Sequence, residues 1–304
     1  MDKTKLVLGT VQLGMEYGLN NTTGQPNREE AFSILDRALA AGITLFDTAW
    51  AYGNAEDVIG EWMQARDTTQ KIKIISKMKP HALEDYPNYT EPSKVVLAEV
   101  KKSLHRLGVS CLEGYLLHTP QYAYNDGVIA GLREIKSAGL VKNIGVSIYD
   151  EAEALRAIEI GADYVQVPYN VLDQRLDKIV FFDRAKEKGV TVFARSPFLQ
   201  GLLLMDPAHI PPHLAHARTL LEKFADISKR HGLSRLEAAL TFAYNSRADY
   251  IVFGVETLAQ LQDVLALDVQ VLVSNNGFLK EVSSTFRNVE IAIVNPSLWN
   301  KMKK

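Results

Sequence analysis

Short apolar runs, rich in β-branched and aromatic residues, recur along the chain at 6–10 (LVLGT), 43–49 (ITLFDTA), 72–78 (IKIISKM), 111–118 (CLEGYLLH), 143–149 (NIGVSIY), 164–170 (YVQVPYN), 190–197 (VTVFARSP) and 250–255 (YIVFGV). Their apolar character is continuous, which suits strands buried on both faces, as in a parallel sheet. Helical patterns fill the intervals. Residues 28–42 carry apolar positions at helical spacing and stop at a glycine, 92–108 open on Pro-Ser and end in glycine, and 150–161 open on acids and end in glycine. Acids favour a helix N-terminus and glycine its C-terminus. Two more helices are predicted over 221–232 and 236–246, before the last strand.

Eight strands alternating with helices predict an α/β chain folded as a closed (β/α)8 TIM barrel, with residues 1–304 as one domain. The competing open doubly wound sheet would carry a glycine-rich phosphate loop after its first strand. GTVQLGMEYG lacks that spacing. The longest insertion is 199–215, and 275–304 form a C-terminal tail expected over the barrel mouth.

The net charge of −2 provides no basic footprint for nucleic acid or an anionic membrane surface. No run of about 18 apolar residues suggests a membrane span. The lone Cys111 cannot form an internal disulfide or a thiolate cluster, and the start lacks a recognisable cleavage site. Both point to a cytoplasmic location.

In a parallel barrel, polar residues at the C-terminal ends of strands converge on one mouth. Asp47 ends the second predicted strand, Tyr52 follows five residues later, Lys77 lies in the third, and His118 ends the fourth. Each has a structural explanation of its own: Asp47 as a turn cap, Tyr52 as a cover for the core edge, Lys77 as a snorkelling side chain, His118 as a satisfied strand-end residue. Together they describe a proton donor. A phenol has an unperturbed pKa of about 10, and a nearby ammonium lowers it. Asp47 could balance the ammonium, and His118 could aim a substrate oxygen at the phenol. Such a group protonates an oxygen as negative charge develops on it, as reduction of a carbonyl requires.

The sequence resembles the aldo-keto reductase superfamily over nearly its whole length, through LGT, DTAWAYG, SKM, LLHTP, GVS, QVPYN, RSPFLQGLL and VFGVETLAQLQD in order. The resemblance implies that Tyr52 is the general acid, tuned by Lys77, with Asp47 as counter-ion and His118 orienting the carbonyl. It implies a nicotinamide dinucleotide, NADPH or NADH, held by Gly9, Thr10, Ser147, Gln166, Tyr169, Arg195, Ser196, Pro197, Gln200, Gly201, Gly254, Glu256, Gln260 and Asp263. Ser147 and Gln166 would hold the carboxamide, and Ser196 and Gly201 the pyrophosphate.

There are departures from the family pattern. Ile148 follows Ser147 where many relatives have asparagine. Arg195 stands where many have an aromatic residue, and a guanidinium there would disfavour an oxidised, cationic ring. Glu256 falls where NADP-preferring relatives place a basic residue; it would repel a 2′-phosphate and could accept from a free ribose hydroxyl. The helix beginning near Thr257 could still offer amides to a phosphate. Cofactor preference therefore stays open.

The resemblance thus implies an NAD(P)-dependent oxidoreductase of the alcohol dehydrogenase type, acting on a small aldehyde, ketone or sugar carbonyl in either direction. Trp50, Tyr17, the 199–215 loop and the tail with Trp299 are candidate substrate contacts. A cofactor-binding regulatory subunit with little turnover is the alternative. A barrel hydrolase or lyase would need paired carboxylates or a metal cluster at the strand ends, and no metal site is expected. The sequence leaves oligomeric state open.

Overall fold

The computed structural model describes residues 5–86 and 91–303; the remaining parts of the 1–304 span lie outside the described residues. Eight parallel strands close a barrel in sequence order. They are β1 (Leu6–Gly9), β2 (Leu45–Asp47), β3 (Lys73–Lys77), β4 (Leu112–Leu117), β5 (Val141–Ser147), β6 (Tyr164–Pro168), β7 (Thr191–Arg195) and β8 (Tyr250–Gly254). Closure is by β1 against β8, with Gly9 opposite Gly254. The helices are α1 (Val11–Gly14), α2 (Arg28–Ala40), α3 (Ala55–Arg66), α4 (Pro92–Leu107), α5 (Asp126–Ser137), α6 (Glu151–Glu159), α7 (Phe181–Glu187), α8 (Arg218–Arg230), α9 (Arg235–Tyr244), α10 (Leu258–Ala266), α11 (Val269–Val273), α12 (Asn276–Thr285) and α13 (Ile291–Val294).

The helix stops follow the local chemistry. Gly108 ends α4 in the left-handed region at φ 65°, where glycine escapes the Cβ clash. Asp150 and Glu153 form a reciprocal capping box at the start of α6.

The strands are shorter than their apolar runs. Beyond Asp47 the Thr48 N–H still bonds Ile75 O at 2.8 Å, but the chain then turns into the loop that carries Tyr52. β5 instead starts two residues before its predicted strand, because the charged Lys142 masks its beginning, and Tyr149 leaves it for the α6 cap, where its N–H bonds Glu153.

Val7, Ile75, Leu116, Phe193 and Val252 fill the barrel interior, while a larger apolar cluster lies between strands and helices. Side chains alternate along a strand. Two residues beyond the interior layer, the inward positions are therefore Gly9, Lys77, His118, Arg195 and Gly254. The same alternation brings in Asp47, Ser147 and Gln166. The tail crosses the mouth so that Pro296 and Ser297 reach the cavity. Trp299 is buried in the larger apolar cluster and donates its indole N–H within the tail, to Ile293 O at 3.1 Å. Among the described residues no helix is long and apolar enough to cross a membrane.

Candidate active site

The inward layer opens into a cavity of about 760 Å³ at the C-terminal end of the barrel, within the range of small-molecule and cofactor sites. At its base Lys77 is fully buried. Its ammonium donates to both Asp47 carboxylate oxygens at 2.8 and 2.7 Å, to Thr48 O at 3.0 Å and to the Tyr52 hydroxyl oxygen at 3.2 Å. Gln166 adds a 2.7 Å hydrogen bond to Asp47 Oδ1. A buried ion pair survives only when such partners replace the lost water. Because Lys77 donates to the phenol oxygen, the phenol's own hydrogen is free to point elsewhere. The His118 ring meets the Tyr52 ring edge-on at 5.8 Å.

Burial, then the charges of Lys77 and Arg195, drive the His118 pKa down to about 3. His118 is thus a neutral imidazole with one N–H to offer. Its Nδ1 is buried without a partner among the described residues.

Tyr52 corrects one expectation. Rather than being lowered by the ammonium, its pKa is raised well above the usual phenol value, first by burial and then by the Asp47 charge, with Arg195 opposing. Asp47 offsets the charge of Lys77, so desolvation decides the sign.

The Tyr52 loop is held by two glycines. A Cβ at Gly14 would lie 1.8 Å from Tyr52 O, and one at Gly53 would lie 2.1 Å from Gly14 O. Asn54 N–H bonds Gly14 O at 3.3 Å, and Gln25 clamps Leu13 O and Asn54 Oδ1 at 2.9 and 2.8 Å. On the strand side, the Ser76 hydroxyl donates to buried Glu56 at 2.6 Å, tying β3 to α3.

Gly9, Thr10, Ser147, Gln166, Arg195, Ser196, Pro197, Gln200, Gly201, Gly254, Glu256, Gln260 and Asp263 all line the cavity. Ser147 Oγ donates to Gln166 Oε1 at 3.4 Å, so these two are coupled to Asp47. Ser196, Leu199, Gln200 and Gly201 take φ values of 60°, 48°, 54° and 87°. That strained run folds the chain tightly against the cavity, as backbone does at ligand clamps.

Three aromatic candidates do not line the cavity. Tyr169 turns outward, stacks on Phe242 at 5.4 Å and donates to Asp177 at 2.7 Å, because the strand alternation that points Gln166 inward points it away. Trp50 lies under Lys79 and Arg106 at 4.7 and 5.3 Å, outside the cavity. Trp299 is buried in the apolar cluster beneath the tail. Tyr17 does line the cavity, as do Gln200, Gly201 and Leu204 of the 199–215 loop.

Gln12, Met15, Asn20 and Tyr149 also line it and went unnoticed in the sequence. Gln12 fills the space over Gly254, where a Cβ would come within 2.4 Å of its Oε1, and that oxygen is buried with no partner among the described residues. The glycines ending β1 and β8 were the available signal.

At the far end Glu256 and Gln260 grip each other. Glu256 N–H donates to Gln260 Oε1 at 2.8 Å, and Gln260 Nε2 to Glu256 Oε2 at 3.2 Å. Two of the amides at the start of α10 are engaged as well: Gln260 N–H by Thr257 Oγ1 at 3.2 Å and Leu258 N–H by Glu30 Oε1 at 2.8 Å. A carboxylate on the helix N-terminus neutralises the anion site expected there. Among the described residues no cluster of His, Cys, Asp and Glu could hold a metal.

The sequence matches the aldo/keto reductase family over residues 5–275. It is 32% identical over 182 residues to the aldo-keto reductase str7 of Strobilurus tenacellus, a match covering 58% of this chain and 52% of that protein, about half its length. An uncharacterised oxidoreductase of Mycobacterium tuberculosis is 27% identical over 311 residues, covering 94% of this chain and 91% of the relative. The NADH-specific methylglyoxal reductase of Escherichia coli is 26% identical over 220 residues, covering 66% and 65% respectively. A solved structure from Pseudomonas aeruginosa assigned to the aldo-keto reductases shares the fold at a TM-score of 0.65 and 21% identity, covering 88% of this chain and 90% of that one. With the family match running through the barrel and all four polar groups at its base, the chain belongs to the aldo/keto reductase family.

Proposed function

We propose that the protein reduces the carbonyl group of a small aldehyde or ketone, with Tyr52 as proton donor, and that it prefers NADH to NADPH. The observation that carries the reading is the contact of Lys77 with both Asp47 and the Tyr52 hydroxyl, beside a neutral His118, at the base of an open cavity. A reduced nicotinamide dinucleotide bound there supplies hydride to the carbonyl carbon.

The chain's own residues do the rest. Ser147 and Gln166 offer polar atoms for a carboxamide, the 196–201 loop wraps the middle of the cavity, and Glu256, Gln260 and Asp263 line the adenosine end. Gln12 Oε1 and Arg195 Nε, buried with no partner among the described residues, are suited to ligand hydrogen bonds. His118 donates to the substrate oxygen. Tyr52, kept protonated by burial, gives that oxygen its hydrogen as charge builds there. The phenolate left behind faces the Lys77 ammonium, so the stabilisation grows along the reaction. Alcohol oxidation needs that phenolate at the outset, which burial and Asp47 oppose, so the site favours reduction.

Glu256, and Glu30 on the α10 amides, oppose a 2′-phosphate, and the name of the Escherichia coli relative is in keeping with NADH use. The test is label transfer. Incubation with NADH deuterated at the reactive carbon and a panel of aldehydes and ketones should give alcohols with deuterium on the carbinol carbon. Cofactor binding without label transfer to any carbonyl would refute the reading and favour a non-catalytic binding protein.

A further inference from the structure

We infer that the cavity takes a carbonyl substrate that also carries an anionic group, a carboxylate or a phosphate, gripped by the guanidinium of Arg195 where it lies on Tyr149. This rests on the carbonyl-reductase reading and adds a substrate class to it. Arg195 ends β7 on the same inward face as Phe193. Its guanidinium carbon lies 4.8 Å from the centre of the Tyr149 ring. Nη2 donates to Ile148 O at 2.9 Å, and Nη1 donates to Ser196 Oγ at 3.4 Å. Nε is buried with no partner among the described residues. The described partners of Arg195 are thus an amide carbonyl, a hydroxyl and an aromatic face, with no carboxylate among them.

The neighbouring acids are committed elsewhere. Arg175, which also reaches the Tyr149 segment, is paired with Asp173 at 2.8 Å and Glu151 at 3.7 Å. Glu153 feels the Arg195 charge, but its carboxylate accepts from the Tyr149 and Asp150 amides at 2.7 and 3.2 Å and from Gln121 at 2.9 Å.

A charge count gives the consequence. Lys77 is cancelled by Asp47, and His118 and Tyr52 are neutral. Arg195 is therefore, among the described residues at the reactive end of the cavity, a cation with no carboxylate partner. A half-buried cation without a counter-ion is costly, and an anion arriving with good geometry offsets that cost. A planar guanidinium with free N–H groups suits carboxylate and phosphate oxygens. Arg195 lines the same cavity as Tyr52 and His118, at the inward strand position equivalent to that of Lys77, so an anion held by it lies at the reactive end. That placement fits a carboxylate on or near the carbonyl carbon, or a phosphate on a short-chain sugar.

The experiment compares matched pairs differing in the anion: pyruvate with methyl pyruvate, succinic semialdehyde with butanal, and glyceraldehyde 3-phosphate with glyceraldehyde. The readout is the ratio of kcat/KM for the charged member over the neutral one, with NADH. In the wild type at least one ratio should exceed about tenfold, the scale of one charge-assisted contact. Arg195→Met should reduce that ratio by about tenfold or more, and raising ionic strength should erode it in the wild type. The pair showing the largest ratio distinguishes carboxylate from phosphate. Wild-type ratios at or below one in all three pairs would overturn the inference while leaving the reductase reading intact. So would a ratio unchanged in Arg195→Met, or in Arg195→Gln where the first variant is poorly folded. Turnover of no carbonyl at all would sink the reductase reading, and this one with it.

Discussion

Replacing Glu256 by arginine should turn the protein from NADH toward NADPH. In the native chain the half-buried Glu256 carboxylate is fixed by Gln260, and a second carboxylate, Glu30, sits on the amide of Leu258, two residues further on. A 2′-phosphate of charge about −2, held roughly 6 Å from Glu256 in an effective dielectric of about 40–80, meets about 1–3 kcal/mol of repulsion. That corresponds to roughly 5- to 150-fold in affinity. Glu256→Arg removes the repulsion and adds a donor for phosphate oxygens, discounted for solvent screening. The ratio Kd(NADPH)/Kd(NADH), measured by fluorescence titration, should exceed one in the wild type and fall by at least about tenfold in the variant. Raising salt should compress the difference. Adding Glu30→Gln should lower the ratio further by freeing the α10 amides from a carboxylate. Tighter binding of NADPH by the wild type would refute the reasoning, as would a ratio indifferent to Glu256→Arg, which would mean the side chain does not face the ribose.

The rate of carbonyl reduction should hold level from pH 7 to about 10, because burial keeps Tyr52 protonated across that window; a decline centred near pH 8 to 9 in the wild type and absent from Tyr52→Phe would contradict this. Lys77→Met should push the alkaline rise of alcohol oxidation to still higher pH, since the phenolate loses its adjacent positive charge; an unmoved profile at undiminished activity would make Lys77 merely structural. With its pKa at about 3, His118 should show no imidazole titration by NMR between pH 8 and about 5, and kcat/KM should show no His118-dependent break near pH 6.5. Gly14→Ala should reduce kcat/KM by roughly ten- to a hundredfold through displacement of the Tyr52 loop, and full activity in that variant would show that the loop can move without harm.

The barrel was legible because a parallel sheet covered on both faces writes each strand as an unbroken apolar run. Strand ends were harder to read, since the runs at 43–49 and 164–170 continue into loop residues that stay buried over the mouth. Asp47, Lys77 and His118 could be placed because period two fixes which strand residues face inward. Tyr169 went astray because the same rule, applied one residue later, sends it out against Phe242. Residue type alone misled at Trp50 and Trp299, where an aromatic ring serves packing as readily as binding. The direction of the Tyr52 shift depends on the balance of burial and two opposed charges, which no local motif encodes. Glu30 caps α10 from 228 residues away, and Gln12 covers Gly254 across the closing seam of the barrel; contacts of that kind exist only once the chain has folded.

The central claim, that Tyr52 delivers the proton in carbonyl reduction, is tested most directly by Tyr52→Phe. The substitution removes one oxygen, leaves the Lys77–Asp47 pair in place and keeps the ring against His118. Rapid-mixing single turnovers with saturating NADH and an aldehyde should show reduction slowed by at least about a hundredfold, with NADH affinity close to that of the wild type. A variant that binds NADH and retains most of the wild-type rate would contradict the account.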